Sequence, residues 1–87
     1  MMVMPSAYVL FNVDSGSEDR VLKELGNIAE VQEAFFSYGV YDLVVKVRAD
    51  SMEELKELVS HHLRIIPSVK STVTLIEVEE KRIIVTV

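Results

Sequence analysis

The sequence predicts an α+β sandwich in the element order βαββαβ, and three observations carry the prediction. Runs rich in β-branched and aromatic residues are bounded by Gly, Pro, Asp and Ser. Two of the gaps between them hold apolar residues at helical spacing behind a Ser or Asp. A short echo, Ile28-Ala29-Glu30-Val31 against Ile66-Pro67-Ser68-Val69, marks the chain as two βαβ halves. Each half needs a right-handed crossover. Interleaving the two gives a four-stranded antiparallel sheet with both helices on one face, the ferredoxin-like arrangement.

The first strand is Ala7-Tyr8-Val9-Leu10-Phe11-Asn12-Val13, held between Pro5 and Asp14-Ser15-Gly16-Ser17. Ser17 stands where an N-cap belongs, and Glu18 and Asp19 suit the positive end of the helix dipole. Val21, Leu25 and Ile28 then form the apolar stripe of a helix of about three turns, ending between Gly26 and Ala29. Val31 to Tyr38 and Tyr41 to Ala49 read as two strands joined around Gly39-Val40, an antiparallel hairpin. Asp50-Ser51-Met52-Glu53 has the form of a capping box, with Asp50 and Glu53 each satisfying an orphan amide. Met52, Leu55, Val59, Leu63 and Ile66 mark the buried side of the second helix. Pro67 stops it, and Val69 to Glu79 is the fourth strand. The tail from Lys81 to Val87 has strand composition and predicts a fifth strand, added to the edge of a neighbouring subunit's sheet.

Composition narrows the function. A chain of 87 residues is one domain, 1–87 with its core over 7–79. A formal charge of -5 without a Lys or Arg cluster argues against binding a phosphate backbone, so nucleic acid is not the expected direct partner. Without cysteine there is neither a disulfide framework nor a thiolate metal site, which fits the cytoplasm. The apolar start, Met1 to Ser6, is too short for a signal peptide, and no apolar run reaches the ~20 residues that span a bilayer, so no membrane is expected.

Strand alternation assigns Val9, Phe11, Val13, Leu43, Val45 and Val47 to the helix side. It leaves Tyr8, Leu10, Asn12, Val44, Thr72, Thr74 and Ile76 on the open face. Four strands of about eight residues make that face roughly 500 Å². At ~25 cal/mol per Å², covering it contributes on the order of 10 kcal/mol per subunit before association costs. A half-apolar face of that size suits a subunit interface better than water.

Few residues carry chemistry. His61 and His62 are adjacent on a helix, point about 100° apart and cannot chelate one metal. His62 falls on the apolar stripe and reads as a core or interface histidine, whereas His61 faces solvent. There is no phosphate loop, serine elbow or HExxH, and no metal or cofactor is expected. The turn Gly39-Val40-Tyr41-Asp42 is different: glycine lets backbone amides approach a ligand closely. Asp42 either receives an ammonium group or braces its own hairpin. By themselves Ser71, Thr72 and Thr74 are ordinary strand residues.

Three segments taken together change the weights: Ala7 to Val13, Gly39-Val40-Tyr41-Asp42-Leu43-Val44-Val45-Lys46-Val47, and Ile66-Pro67-Ser68-Val69-Lys70-Ser71-Thr72-Val73-Thr74. In this order and spacing the chain resembles the effector (RAM) domain of the Lrp/AsnC transcription regulators, over Ala7 to about Glu79. The resemblance implies a non-catalytic, amino-acid-sensing domain. Two copies would pack sheet to sheet, dimers would assemble into an octamer or similar ring, and a small amino acid would bind between dimers. It implies that Gly39, Val40, Tyr41 and Asp42 grip the amino and carboxylate groups and that Ser71, Thr72 and Thr74 line the same interface. The family turn is usually Pro-Gly, where this chain has Pro67-Ser68. Full-length regulators carry an N-terminal helix-turn-helix domain, so the chain is expected to be a stand-alone effector protein that joins the assembly of a full-length regulator.

Two other readings compete. A structural assembly module would use Asp42 only to brace the hairpin. A dimeric ferredoxin-like enzyme of the monooxygenase or isomerase type would call on His62, Tyr8 or Asn12 in a closed cavity. An ACT-like amino-acid domain shares the element order, and the Gly39 to Asp42 turn favours the Lrp/AsnC resemblance over it.

Overall fold

The computed structural model describes residues 4–77. Within them the order is β1 (Ser6–Val13), α1 (Glu18–Leu25), β2 (Val31–Phe36), β3 (Leu43–Arg48), α2 (Met52–Leu58), a π-helical turn (Val59–Leu63) and β4 (Val69–Ile76). The expected fifth strand over 81–87, and residues 78 and 79 of the expected fourth, lie outside the described residues. The sheet runs β2-β3-β1-β4 with every neighbouring pair antiparallel. This is the predicted ferredoxin-like sheet, and the alternation of β1 and β3 explains its core. Val9, Phe11, Leu43, Val45 and Val47 are wholly buried on one face, where Val21 and Leu25 of α1 and Leu55 and Leu63 from the second helical segment meet them. Each of these side chains stabilises the fold by about 1.5–3 kcal/mol through burial. Among the described residues no helix is long and apolar enough to cross a membrane.

Several local details differ from the sequence reading. The cap of α2 sits one residue later: Ser51 is extended (φ -146°, ψ 164°), its Oγ accepts from the Glu54 amide at 3.1 Å, and the Glu54 carboxylate accepts from the Asp50 amide at 3.3 Å. Asp50 and Glu53 do not form the box. At α1, Ser17 holds the N-cap position with φ -105° and ψ 4°, outside the extended region in which a hydroxyl reaches the first turn. Its hydroxyl donates instead to the Asp14 carbonyl. Helix α1 is correspondingly brief at eight residues.

The π turn corrects the reading of the second helix. The Arg64 amide donates to the Val59 carbonyl, an i to i+5 bond that widens one turn and shifts the phase of the residues after it. Leu55, Leu58, Val59, Leu63 and Ile66 are buried, with the five-residue step from Leu58 to Leu63 matching the wide turn, while His62 is turned out to solvent. His62 is therefore not a core histidine. Met52, at the start of the helix, is also exposed. His61 is exposed as expected and its Nδ1 lies 3.3 Å from the Glu57 carboxylate.

A bulge corrects the reading of β4. Asn12 pairs with Ser71 but Val13 pairs with Val69, so Lys70 is an extra residue. One inserted residue moves every later side chain to the opposite face. Thr72, Thr74 and Ile76 stand opposite Phe11, Val9 and Ala7 on the helix side, and Ser71, Val73 and Leu75 join the open face. Directly paired residues give that face an apolar row across all four strands, Phe35, Val44, Leu10 and Val73. Beside it runs a mixed row of Glu33, Lys46, Tyr8 and Leu75, in which the Lys46 ammonium lies 5.5 Å from the centre of the Tyr8 ring.

Candidate functional site

The connection between β2 and β3 is longer than a two-residue hairpin. The ladder stops at the Phe36–Leu43 pair, leaving Ser37 to Asp42 as a six-residue loop closed by the Ser37 amide donating to the Asp42 carbonyl at 2.9 Å. Gly39 has φ +123°, a conformation open to glycine and strained for any side chain. Val40 projects with 80% of its surface exposed and Tyr38 is fully exposed, whereas Tyr41 and Asp42 are half-buried. Among the described residues, the amides of Tyr38, Gly39, Val40 and Tyr41 donate to no protein acceptor. Four donors on a loop tip beside a carboxylate can receive both ends of a zwitterion.

Asp42 is wired to the C-terminal end of β1. Its amide donates to the Phe11 carbonyl at 2.8 Å, and its Oδ2 accepts from the Val13 amide at 2.9 Å. One oxygen thus braces the loop, and the second takes no bond from the described residues. The two roles left open for Asp42, brace and acceptor, are compatible within one carboxylate.

Ser71 lies on the other side of the same end of β1, across from Asn12, whose Nδ2 approaches the Ser71 Oγ at 3.5 Å. The turn and Ser71 therefore flank one strand end. Thr72 and Thr74 do not join them, because the bulge turns both to the helix side. Thr74 lines a small cleft of about 180 Å³ with Leu55, Val59 and Ile76.

A cleft of about 410 Å³ opens beside the turn, walled by Glu18, Asp19, Phe36, Ser37, Tyr38 and Asp42. Of the turn residues named from the sequence, Asp42 alone lines it. Glu18 is partly committed, since its carboxylate accepts from the Gly16 amide at 2.7 Å. The acidic pair at the start of α1, and Phe36 and Tyr38 at and just after the end of β2, were legible only as helix-dipole and strand residues. The crossover that sets α1 against β2 brings them to the turn. A larger cleft of about 510 Å³, bordered by Glu30, Asp50, Glu54, Glu57 and His62, lies at the opposite end of β3. Among the described residues no group of three or more His, Cys, Asp or Glu could hold a metal ion.

This is the ferredoxin-like fold, with one sheet face open and a glycine turn at its end. The Lrp/AsnC ligand binding domain matches residues 6–82, and the chain belongs to that family. It is 34% identical over 70 residues to the HTH-type transcriptional regulator FL11 of Pyrococcus horikoshii, covering 80% of this chain and 46% of FL11. The chain spans about half the length of the curated relatives it matches. Among solved structures, FFRP-DM1 superposes with a TM-score of 0.84 at 35% identity, over 86% of this chain and all of that one. A Neisseria meningitidis transcriptional regulator, solved as its L-Met complex, shares the fold with a TM-score of 0.79 at 15% identity. That match covers 90% of this chain and 52% of the regulator.

Proposed function

We propose that the chain is a non-catalytic, amino-acid-sensing and oligomerising effector domain related to the Lrp/AsnC regulators. The observation that carries this reading is the loop from Tyr38 to Asp42, with four unengaged amides next to a carboxylate that keeps one oxygen unused. The amides receive the ligand carboxylate and Asp42 its ammonium, with the adjoining cleft taking the side chain. Gly39, Val40, Tyr41, Asp42 and Ser71 form one half-site. Thr72 and Thr74 shape the backbone of β4 and face away from the ligand.

The open sheet face is the dimer surface in this reading. Its row of Phe35, Val44, Leu10 and Val73 supports pairing of two sheets, and exposed Tyr38 and Val40 project as contacts between dimers in a ring of octamer type. The same surfaces would let the chain enter the assembly of a full-length Lrp/AsnC regulator, so that amino-acid occupancy alters that regulator's population of states. Relatives named as transcriptional regulators support this setting, and the L-Met complex of the Neisseria regulator supports amino acids as the ligand class.

A thermal-shift screen against the twenty amino acids at millimolar concentration tests the sensing claim. A ligand at ~100 times its dissociation constant stabilises by ~2.7 kcal/mol, which raises the melting point by several degrees. A structural assembly module is the second reading, favoured by the brace between Asp42 and the Val13 amide. It predicts no shift with any amino acid.

A further inference from the structure

Ser68 is the one non-glycine residue at positive φ among the described residues, at +78°. Glycine would hold that conformation without strain, so the serine side chain needs a reason to be there. The structure supplies one: the Arg20 Nη2 donates to the Ser68 Oγ, tying α1 to the start of β4. The Ser68 carbonyl accepts from the Asp14 amide at 2.8 Å. The preceding amide, Val13, donates the other way, to the Asp42 carboxylate at 2.9 Å. Two successive amides at the end of β1 are thus held from opposite sides, one by the ligand turn and one by Ser68. Immediately after this start of β4 comes the bulge at Lys70 that puts Ser71 on the open face.

We propose that Arg20 and Ser68 are a positioning pair for the ligand half-site. Their tether fixes the start of β4 and, through the Asp14 and Val13 amides, sets the Asp42 carboxylate relative to Ser71. The proposal rests on the reading that this strand end holds the ligand, but its geometry is testable without one. A glycine at position 68 would relax the backbone and lose the tether, so stability and positioning should separate.

Amide hydrogen exchange, followed by NMR on the full ¹⁵N-labelled chain without ligand, makes that separation visible. In Ser68→Gly the melting temperature holds or rises, while exchange at Val13, Asp14 and Asp42 quickens by about 10-fold or more and that at Val9 and Val45 stays unchanged. Arg20→Ala gives the same local pattern, and Arg20→Lys, which keeps a donor, returns the rates to within about three-fold of the parent. Unchanged exchange at Val13 and Asp42 in both Ser68→Gly and Arg20→Ala would overturn the proposal, as would a rise shared by Val9 and Val45. A failed amino-acid screen would instead count against the sensing reading and leave these rates untouched.

Discussion

Asp42 braces the Val13 amide with one oxygen and is proposed to receive a ligand ammonium with the other, and the two roles separate by substitution. Asp42→Ala removes a charge-assisted bond to the Val13 amide from a half-buried position, which should cost about 1–2 kcal/mol and lower the melting point by several degrees. The same change should abolish any amino-acid-induced thermal shift while leaving the mass in solution unchanged by light scattering. Ser51→Ala, which deletes the cap of α2, should cost about 1 kcal/mol in denaturant unfolding. Its neighbour Asp50, read from the sequence as the cap, contributes its amide to Glu54 and no side-chain cap. The capping signal was legible in Asp50-Ser51-Met52-Glu53-Glu54, but two overlapping registers fit it. The choice depended on backbone angles that the residues do not announce.

At the scale of elements, one extra residue and one wide turn account for most of what the sequence concealed. Strands β1 and β3 obey simple alternation because each pairs on both sides, and every core residue assigned to them is buried. In β4, Lys70 is extra, so the alternation was legible and its face was not. The π turn did the same to the second helix: Leu55, Val59, Leu63 and Ile66 were legible as buried, whereas His62, placed on their stripe by a uniform period, is exposed. His62→Ala should accordingly change stability by no more than about 0.5 kcal/mol in chemical denaturation. A buried, hydrogen-bonded histidine would lose several times that. The candidate site divides along the same line. The Gly39 to Asp42 turn was legible because glycine at positive φ and an adjoining carboxylate lie close in sequence. The cleft residues Glu18, Asp19, Phe36 and Tyr38 come together only through the crossover.

For the whole molecule, the corrected face strengthens the case for association. The bulge exchanges Thr72, Thr74 and Ile76 for Ser71, Val73 and Leu75, so two apolar residues of β4 replace one and the open surface is somewhat more apolar than alternation alone implied. Leu10→Glu, at the middle of the apolar row, should leave the chain folded by circular dichroism and shift its mass in solution to that of a monomer. A parent mass above that of a monomer that Leu10→Glu leaves unchanged would place association on another surface, and a monomeric parent would contradict sheet-to-sheet pairing.

The central claim, that the turn ending in Asp42 senses an amino acid, is tested most directly by the melting temperature of the parent chain and of Asp42→Ala against each of the twenty amino acids. A rise of several degrees is expected with one or a few of them in the parent and none in the variant. No rise in the parent, or an equal rise in both proteins, would contradict it.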